Sequence, residues 1–446
     1  MHAVLIATYE LGRQPFGLAS PAAWLRRAGV EVTCVDLSRD SFRDELAKAD
    51  LVAFHLPMHT ATRLAIPVIK RIRALNRDVE LCCYGLYAPL NATWLRSLGV
   101  SHILGGEFEA DLVEIAVHGD TMAGETERIA GKLPRLAFIT PERDGLPGLE
   151  RYATLQCGST RKVVGYTESS RGCKHRCRHC PIVPIYNGRF RIVQPEKVLA
   201  DIRAQVMNGA EHITFGDPDF FNGVRHAMRI VHDLAREFPD LTYDVTIKVE
   251  HLLRYAVELG RLHDTGCMFI TSAVESFDDT ILTRFAKGHS RRDIERAVVL
   301  CREAGVVLVP TFVAFTPWTT LGAYGELLNE IWRLDLIDHV APIQLAIRLL
   351  VPAGSHLLEL GEVRRIVQPF DPVRLIHPWE HADPKVDALA VAISRIVGRR
   401  LTASRREVFA EVRDLAEASG VSSLIPTPVW SKQRVEVPFL NEPWYC

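Results

Sequence analysis

Twice along this chain, short apolar runs alternate with helix-like segments, and this alternation constrains the fold more than any other feature. The first series occupies the opening 120 or so residues. "AVLIA", "VEVTCVDL", "ADLVAFHL", "VELCCYG" and "SHILGGE" read as strands. Between them lie "SPAAWLRRAG", with Ser20 as N-cap and Pro21 at the first helical position, and the amphipathic "TRLAIPVIKRIRAL". Strands without polar alternation are buried on both faces, so this series predicts a doubly wound parallel sheet over residues 1–118.

A polar, Pro- and Gly-bearing stretch, residues 119–160, predicts a linker. A second β/α series begins with "RKVVGYTES". It continues through "EHITFGD", "LTYDVTIKV", "CMFITSAVE", "VVLVPTFVAF" and "VAPIQLAIRLL", with helical segments between. The count predicts a partial or full β/α barrel over residues 161–355, with its chemistry at the carboxyl ends of the strands. Residues 356–446 predict a helical region ending in a Pro-punctuated, extended tail that stops on Cys446. The fold class expected is therefore α/β.

Composition narrows the partners. Lys+Arg 53 against Asp+Glu 54 leaves a formal net charge of −1, so no global basic footprint draws the chain to nucleic acid or an anionic membrane. No apolar segment is long enough to span a bilayer and no signal peptide is seen, so a cytoplasmic protein is expected. Cys34, Cys82, Cys83, Cys267 and Cys301 sit in apolar contexts and are expected as core thiols.

Cys173, Cys177 and Cys180 stand apart, in "SSRGCKHRCRHCPI", with the spacing C-x3-C-x2-C. Three thiols are one fewer than a structural zinc site uses, and an odd number for a disulfide framework. They are enough to hold three irons of a [4Fe–4S] cube and leave the fourth open. A zinc site completed by His175 or His179 is the competing reading, and would make the protein a non-catalytic zinc- or iron–sulfur-binding one.

The triad, with His179 before its third Cys and a β/α series after it, resembles the radical S-adenosylmethionine (SAM) superfamily. That resemblance implies a [4Fe–4S] cluster on Cys173, Cys177 and Cys180, SAM chelated to the open iron, an electron donor such as flavodoxin or ferredoxin, and a small-molecule substrate. "TFGDPDFFNG" resembles the loop that receives the SAM amino group, which implies roles for Gly216 and for Asp217 or Asp219. Lys248 and Glu250 lie together at the end of the next strand. "SAVESFDDTILTRFAKGHS" resembles the stretch whose Glu-Ser pair holds SAM, here Glu275 and Ser276, with Lys287 and Gly288 following. Val309 and Phe312 would form an adenine wall, and Arg348 is either an anion contact or an ion-paired core residue.

Residues 1–118 resemble the cobalamin-binding-type Rossmann domain that precedes many such barrels. The Asp-x-His-x-x-Gly loop that supplies an axial imidazole is absent, and His55 and His59 are the nearest substitutes. A cobalamin-dependent methyltransferase or rearrangement enzyme therefore stays open beside a degenerate domain that shapes the substrate pocket. The ending "EPWYC" is similar to that of radical SAM proteins related to arsinothricin biosynthesis, whose tails continue Cys-Sec-Ala-Glu-Pro or Cys-Cys-Ala-Glu-Pro. This implies that Cys446 is a tail ligand or redox thiol, that a selenocysteine follows it, and that a 3-amino-3-carboxypropyl group is transferred to a thiophilic centre such as arsenic.

Overall fold

The computed structural model describes residues 1–119, 133–421, 424–425 and 437–441. All five strands expected at the amino end form: β1 His2–Ala7, β2 Glu31–Asp36, β3 Leu51–His55, β4 Glu80–Tyr84 and β5 His102–Leu104. They make one parallel sheet in the order β2-β1-β3-β4-β5. One face packs on Val4, Val52, Phe54 and Ile69, the other on Leu5, Ala53, Leu18 and Leu112. This two-sided burial explains why the strands show no polar alternation.

The first helix departs from expectation. It runs Phe16–Arg27, so Ser20 and Pro21 lie inside it rather than at its start. Proline cannot donate the bond that would reach the carbonyl four residues back, which is that of Gly17. The Tyr84 hydroxyl donates to this carbonyl instead, at 2.8 Å. Ser20 is buried and donates to Glu109 at 2.7 Å. A tertiary partner thus replaces the missing helical bond, and the helix continues through the proline.

The second series builds a mixed sheet of seven strands. β6 Thr154–Cys157 and β7 Thr160–Thr167 form an antiparallel hairpin. β8 Ser170–Gly172 and β9 Phe190–Ile192 pair separately. β10 His212–Phe215, β11 Thr242–Thr246, β12 Cys267–Glu275 and β13 Val307–Phe312 then add in parallel beyond β7. With β14 Phe439–Leu440 on the far edge, the order is β13-β12-β11-β10-β7-β6-β14. The sheet is a curled half-barrel rather than a closed one.

The expected final strand, "VAPIQLAIRLL", does not form. Pro342–Leu345 is a turn of 3-10 helix, and only Arg348 makes a bridge, to Phe315. Pro342 favours a helical start and supplies no ladder donor. Helices Pro384–Arg399 and Arg405–Ala418 form as expected, the second with a capping box of Ser404 and Glu407. Their apolar faces, among them Leu389, Ile393, Phe409 and Val412, join the same core as the barrel strands and helices.

Cys34, Cys82, Cys83, Cys267 and Cys301 are all buried free thiols, as expected. Burial pushes Cys34 and Cys301 up to about 12, so they stay neutral. No described helix is long and apolar enough to cross a membrane.

Candidate active site

The parallel strands β7, β10, β11 and β12 end on one rim, and each delivers part of a site there. After β7, the short β8 leads directly into the cysteine loop. Gly172, with φ +74°, makes that exit, because a Cβ would lie 2.3 Å from the Tyr186 ring and 2.6 Å from the Arg189 carbonyl. Cys173 follows, with the His175 amide donating to its sulfur at 3.5 Å and the Lys174 amide to Asn222 at 3.2 Å. The Cys180 amide closes a turn on the Cys177 carbonyl at 3.1 Å, and the Arg178 amide binds the Phe285 carbonyl at 2.9 Å. The loop is thus held by its own turn and by the segment after β12.

Burial pushes the Cys173 thiol up to about 11 and the Cys180 thiol up to about 12, and the neighbouring Cys177 raises both further. All three are free. Lys287 is buried against Cys177 and Cys180. Burial disfavours its charge, yet Glu275 and the two thiols outweigh that and raise its pKa. Clustered, free thiols, one buried and two half-buried, beside a buried ammonium are suited to bind a metal group as thiolates.

Three thiolates on one loop can each hold one iron of a [4Fe–4S] cube and leave the fourth iron open, so the residues present fit the cluster. His179 is turned to Glu275, at 3.1 Å, with its ring 4.3 Å from that of Phe285.

Glu275 ends β12 with φ +71°, where the register with β13 shifts. It accepts from His179 and from Lys287, at 3.2 Å. Burial pushes its carboxyl up, but Lys287 and His179 prevail and hold it at about 2. The neighbouring Ser276 hydroxyl accepts from the Asp278 amide at 3.0 Å.

β10 delivers Gly216 and Asp217. The Gly216 amide binds the Thr167 carbonyl at 2.8 Å, and a Cβ there would fall 1.8 Å from the Tyr166 hydroxyl. Asp217 is buried and accepts from the Ser169 amide at 2.9 Å, the Ser169 hydroxyl at 2.7 Å and the Ser170 hydroxyl at 2.6 Å. Burial pushes it up to about 6 against those three bonds. Its carboxylate braces the strand before the cysteine loop. Asp219 turns the other way, to His251 at 2.7 Å and His175 at 3.4 Å.

Lys248 is the N-cap of helix Val249–Arg254 and Glu250 lies in its first turn, rather than on β11. The Lys248 ammonium is 2.9 Å from His175 Nδ1 and 3.4 Å from Glu250. Val309 and Phe312 fall on opposite faces of β13. Val309 packs toward Phe269 and Val164 on the concave side, while Phe312 joins the helix-side core against Phe277. A wall containing both is excluded by the period of two in a strand. Arg348 is ion-paired to Asp387 and stacked 3.6 Å from the Trp379 ring, so it is the ion-paired residue and not a free anion contact. Cys446 lies outside the described residues.

Sequence reasoning gave no role to Asn222, His251 or Arg171, although Asn222 and Arg171 stood in the quoted stretches. Arg171 is buried in β8 among Glu168 at 2.7 Å, Glu109 at 2.7 Å and Glu107 at 3.4 Å. It ties the amino-terminal sheet to the barrel rim. In that sheet His55 Nδ1 lies 2.6 Å from Glu10, and His59 Nε2 lies 2.6 Å from the Arg374 carbonyl, so each candidate axial imidazole has one ring nitrogen engaged. A carboxylate or carbonyl on one nitrogen is the usual partner of a histidine that ligates a metal through the other.

Residues 167–319, a stretch that contains Cys173, Cys177 and Cys180, match the family model described as Radical SAM superfamily. The half-barrel with its three-cysteine loop is thus similar to the domain that this family model describes.

Among its relatives is hopanoid C-3 methylase of Methylococcus capsulatus, 26% identical over 325 residues, covering 68% of this chain and 62% of that protein. The chain thus spans about three fifths of that relative's length. The fold is similar to that of the cobalamin-dependent radical SAM enzyme OxsB with aqua-cobalamin bound, at TM-score 0.70 and 14% identity, covering 94% of this chain and 71% of that one. It is also similar to the radical SAM methyltransferase TsrM of Kitasatospora setae, at TM-score 0.60 and 16% identity, covering 93% and 99%.

Proposed function

We propose that this protein is a radical SAM transferase that moves a carbon group of SAM onto a small molecule. The observation that carries the reading is the loop of Cys173, Cys177 and Cys180 on the strand-end rim, with Lys287 buried against two of its sulfurs. When bound, a cluster held by these thiolates supplies an open iron for SAM and one electron for reductive cleavage of a carbon–sulfur bond.

The chain's own residues set the surroundings. Lys287 offsets thiolate charge that burial would otherwise disfavour. Glu275 keeps Lys287 charged and orients His179 beside the third cysteine. In this reading Gly216, Glu275 and Ser276 receive SAM polar groups, and Asp217 acts by fixing Ser169 and Ser170, with which its carboxylate is bonded. The electron comes from a reduced carrier of the flavodoxin or ferredoxin type, and the substrate is small, in keeping with a near-zero net charge.

For the group transferred, our first reading is 3-amino-3-carboxypropyl, delivered to a thiophilic centre such as arsenic presented by the tail that ends in Cys446. It is supported by the tail's resemblance. The second reading is methyl transfer, supported by hopanoid C-3 methylase and TsrM being methyl-transferring proteins. Anaerobic reconstitution, reduction with dithionite and mass spectrometry of the nucleoside released separate them. 5′-Methylthioadenosine supports the first, S-adenosylhomocysteine the second, and 5′-deoxyadenosine alone contradicts both.

A further inference from the structure

Beside the cysteine loop lies a second constellation that the proposed reaction does not use. His175 comes from the loop, Asp219 from the turn after β10, and His251 from the helix after β11. One ligand atom of each lies within 4.8 Å of the other two. Asp219 and His251 are 1% and 3% exposed, and the His175 side chain 15%. Water therefore offers little solvation to any of the three.

Asp219 Oδ2 lies 2.7 Å from His251 Nδ1 and 3.4 Å from His175 Nε2. No well-formed hydrogen bond satisfies Asp219 Oδ2, His251 Nδ1 or His175 Nε2. Three buried polar atoms thus crowd together, as ligands around a shared centre do.

The separations suit such a centre. Two ligand atoms about 2.0–2.2 Å from one ion stand about 3 to 3.5 Å apart, so the two Asp219 contacts need only tenths of an ångström of adjustment. Glu250 lies 3.6 Å from His175 Nδ1, where it can accept the second ring proton, as outer carboxylates do for ligating histidines. Lys248 now occupies that nitrogen, and its contact with Glu250 at 3.4 Å lets it stay paired once Glu250 takes the proton. Two imidazoles and one carboxylate prefer a borderline first-row divalent ion over magnesium or calcium.

The geometry points to a mononuclear site for a divalent transition metal, of the zinc or ferrous class, on His175 Nε2, Asp219 Oδ2 and His251 Nδ1. Such an ion would clamp the cysteine loop to the turns after β10 and β11. It is distinct from the cluster, because it takes nitrogen and oxygen ligands and no thiolate.

Cobalt(II) tests this on the full chain carrying its reconstituted cluster. After titration and desalting, the wild-type protein should retain one cobalt per chain in addition to its iron, with weak visible bands and no sulfur-to-cobalt charge transfer. Asp219→Asn and His251→Gln should each weaken uptake at least about tenfold, since even outer-sphere losses have that effect, with iron and sulfide content unchanged. No retained cobalt with the cluster intact would overturn the proposal, as would uptake unchanged in both variants. So would a wild-type spectrum with thiolate charge-transfer bands, a reading that needs no variant to fold.

Discussion

At the residue scale, Gly216 and Asp217 show how closely the rim is built. A methyl group at Gly216 has nowhere to go but the Tyr166 hydroxyl, 1.8 Å from the Cβ position. Gly216→Ala is expected to destabilise the protein by about 1–3 kcal/mol, read as a lower denaturant midpoint at unchanged slope. Asp217 leaves a pH signature. Its folded pKa is raised to about 6 from the ordinary 3.8, so between those values the folded chain holds a proton that the unfolded chain has lost. Its contribution to stability is therefore present at low pH and lost as pH rises through about 6. Asp217→Asn should remove a fall of about 1–3 kcal/mol between pH 4 and 6, measured as the difference between the two stability profiles. The cysteines were legible as ligands because three residues at fixed spacing announce shared chemistry. The Asp217 role was not, since its partners Ser169 and Ser170 lie 48 and 47 residues away and nothing local in the sequence links them.

At the element scale, periodicity carried most of the fold. β1, β3 and β4 were legible because burial on both faces writes itself as a nearly unbroken apolar run. Failures came where a distant partner reverses a local preference. Pro21 reads as a helix start, but the Tyr84 hydroxyl satisfies the carbonyl that proline leaves free, and the helix begins five residues earlier. "VAPIQLAIRLL" has the apolarity of a strand and becomes a 3-10 turn. Its Gln344 side chain binds the Phe312 amide at 2.9 Å, supplying to β13 a bond that a ladder would otherwise give. The Glu275 turn is similar: a left-handed φ at a non-glycine residue is held because its carboxylate is paired to His179 and Lys287.

At the scale of the whole molecule, the amino-terminal sheet and the half-barrel are joined through buried charge. Arg171 faces Glu107, Glu109 and Glu168, and Phe138 lies 4.9 Å from its guanidinium. Arg171→Met would leave these carboxylates buried and unpaired, and is expected to destabilise the folded chain by about 3–5 kcal/mol. Chemical denaturation measures this, and Arg171→Met combined with Glu109→Gln should recover part of it. The junction sets the amino-terminal sheet against the rim that bears the cysteine loop. The central claim concerns that loop. Its most direct test is SAM cleavage by the anaerobically reconstituted, dithionite-reduced protein, compared with the variant carrying Ala at positions 173, 177 and 180. The account predicts iron, sulfide and a SAM-derived nucleoside in the wild type and loss of all three in the variant. Undiminished cleavage by the variant, or none by wild type with its cluster and bound SAM verified, would contradict it.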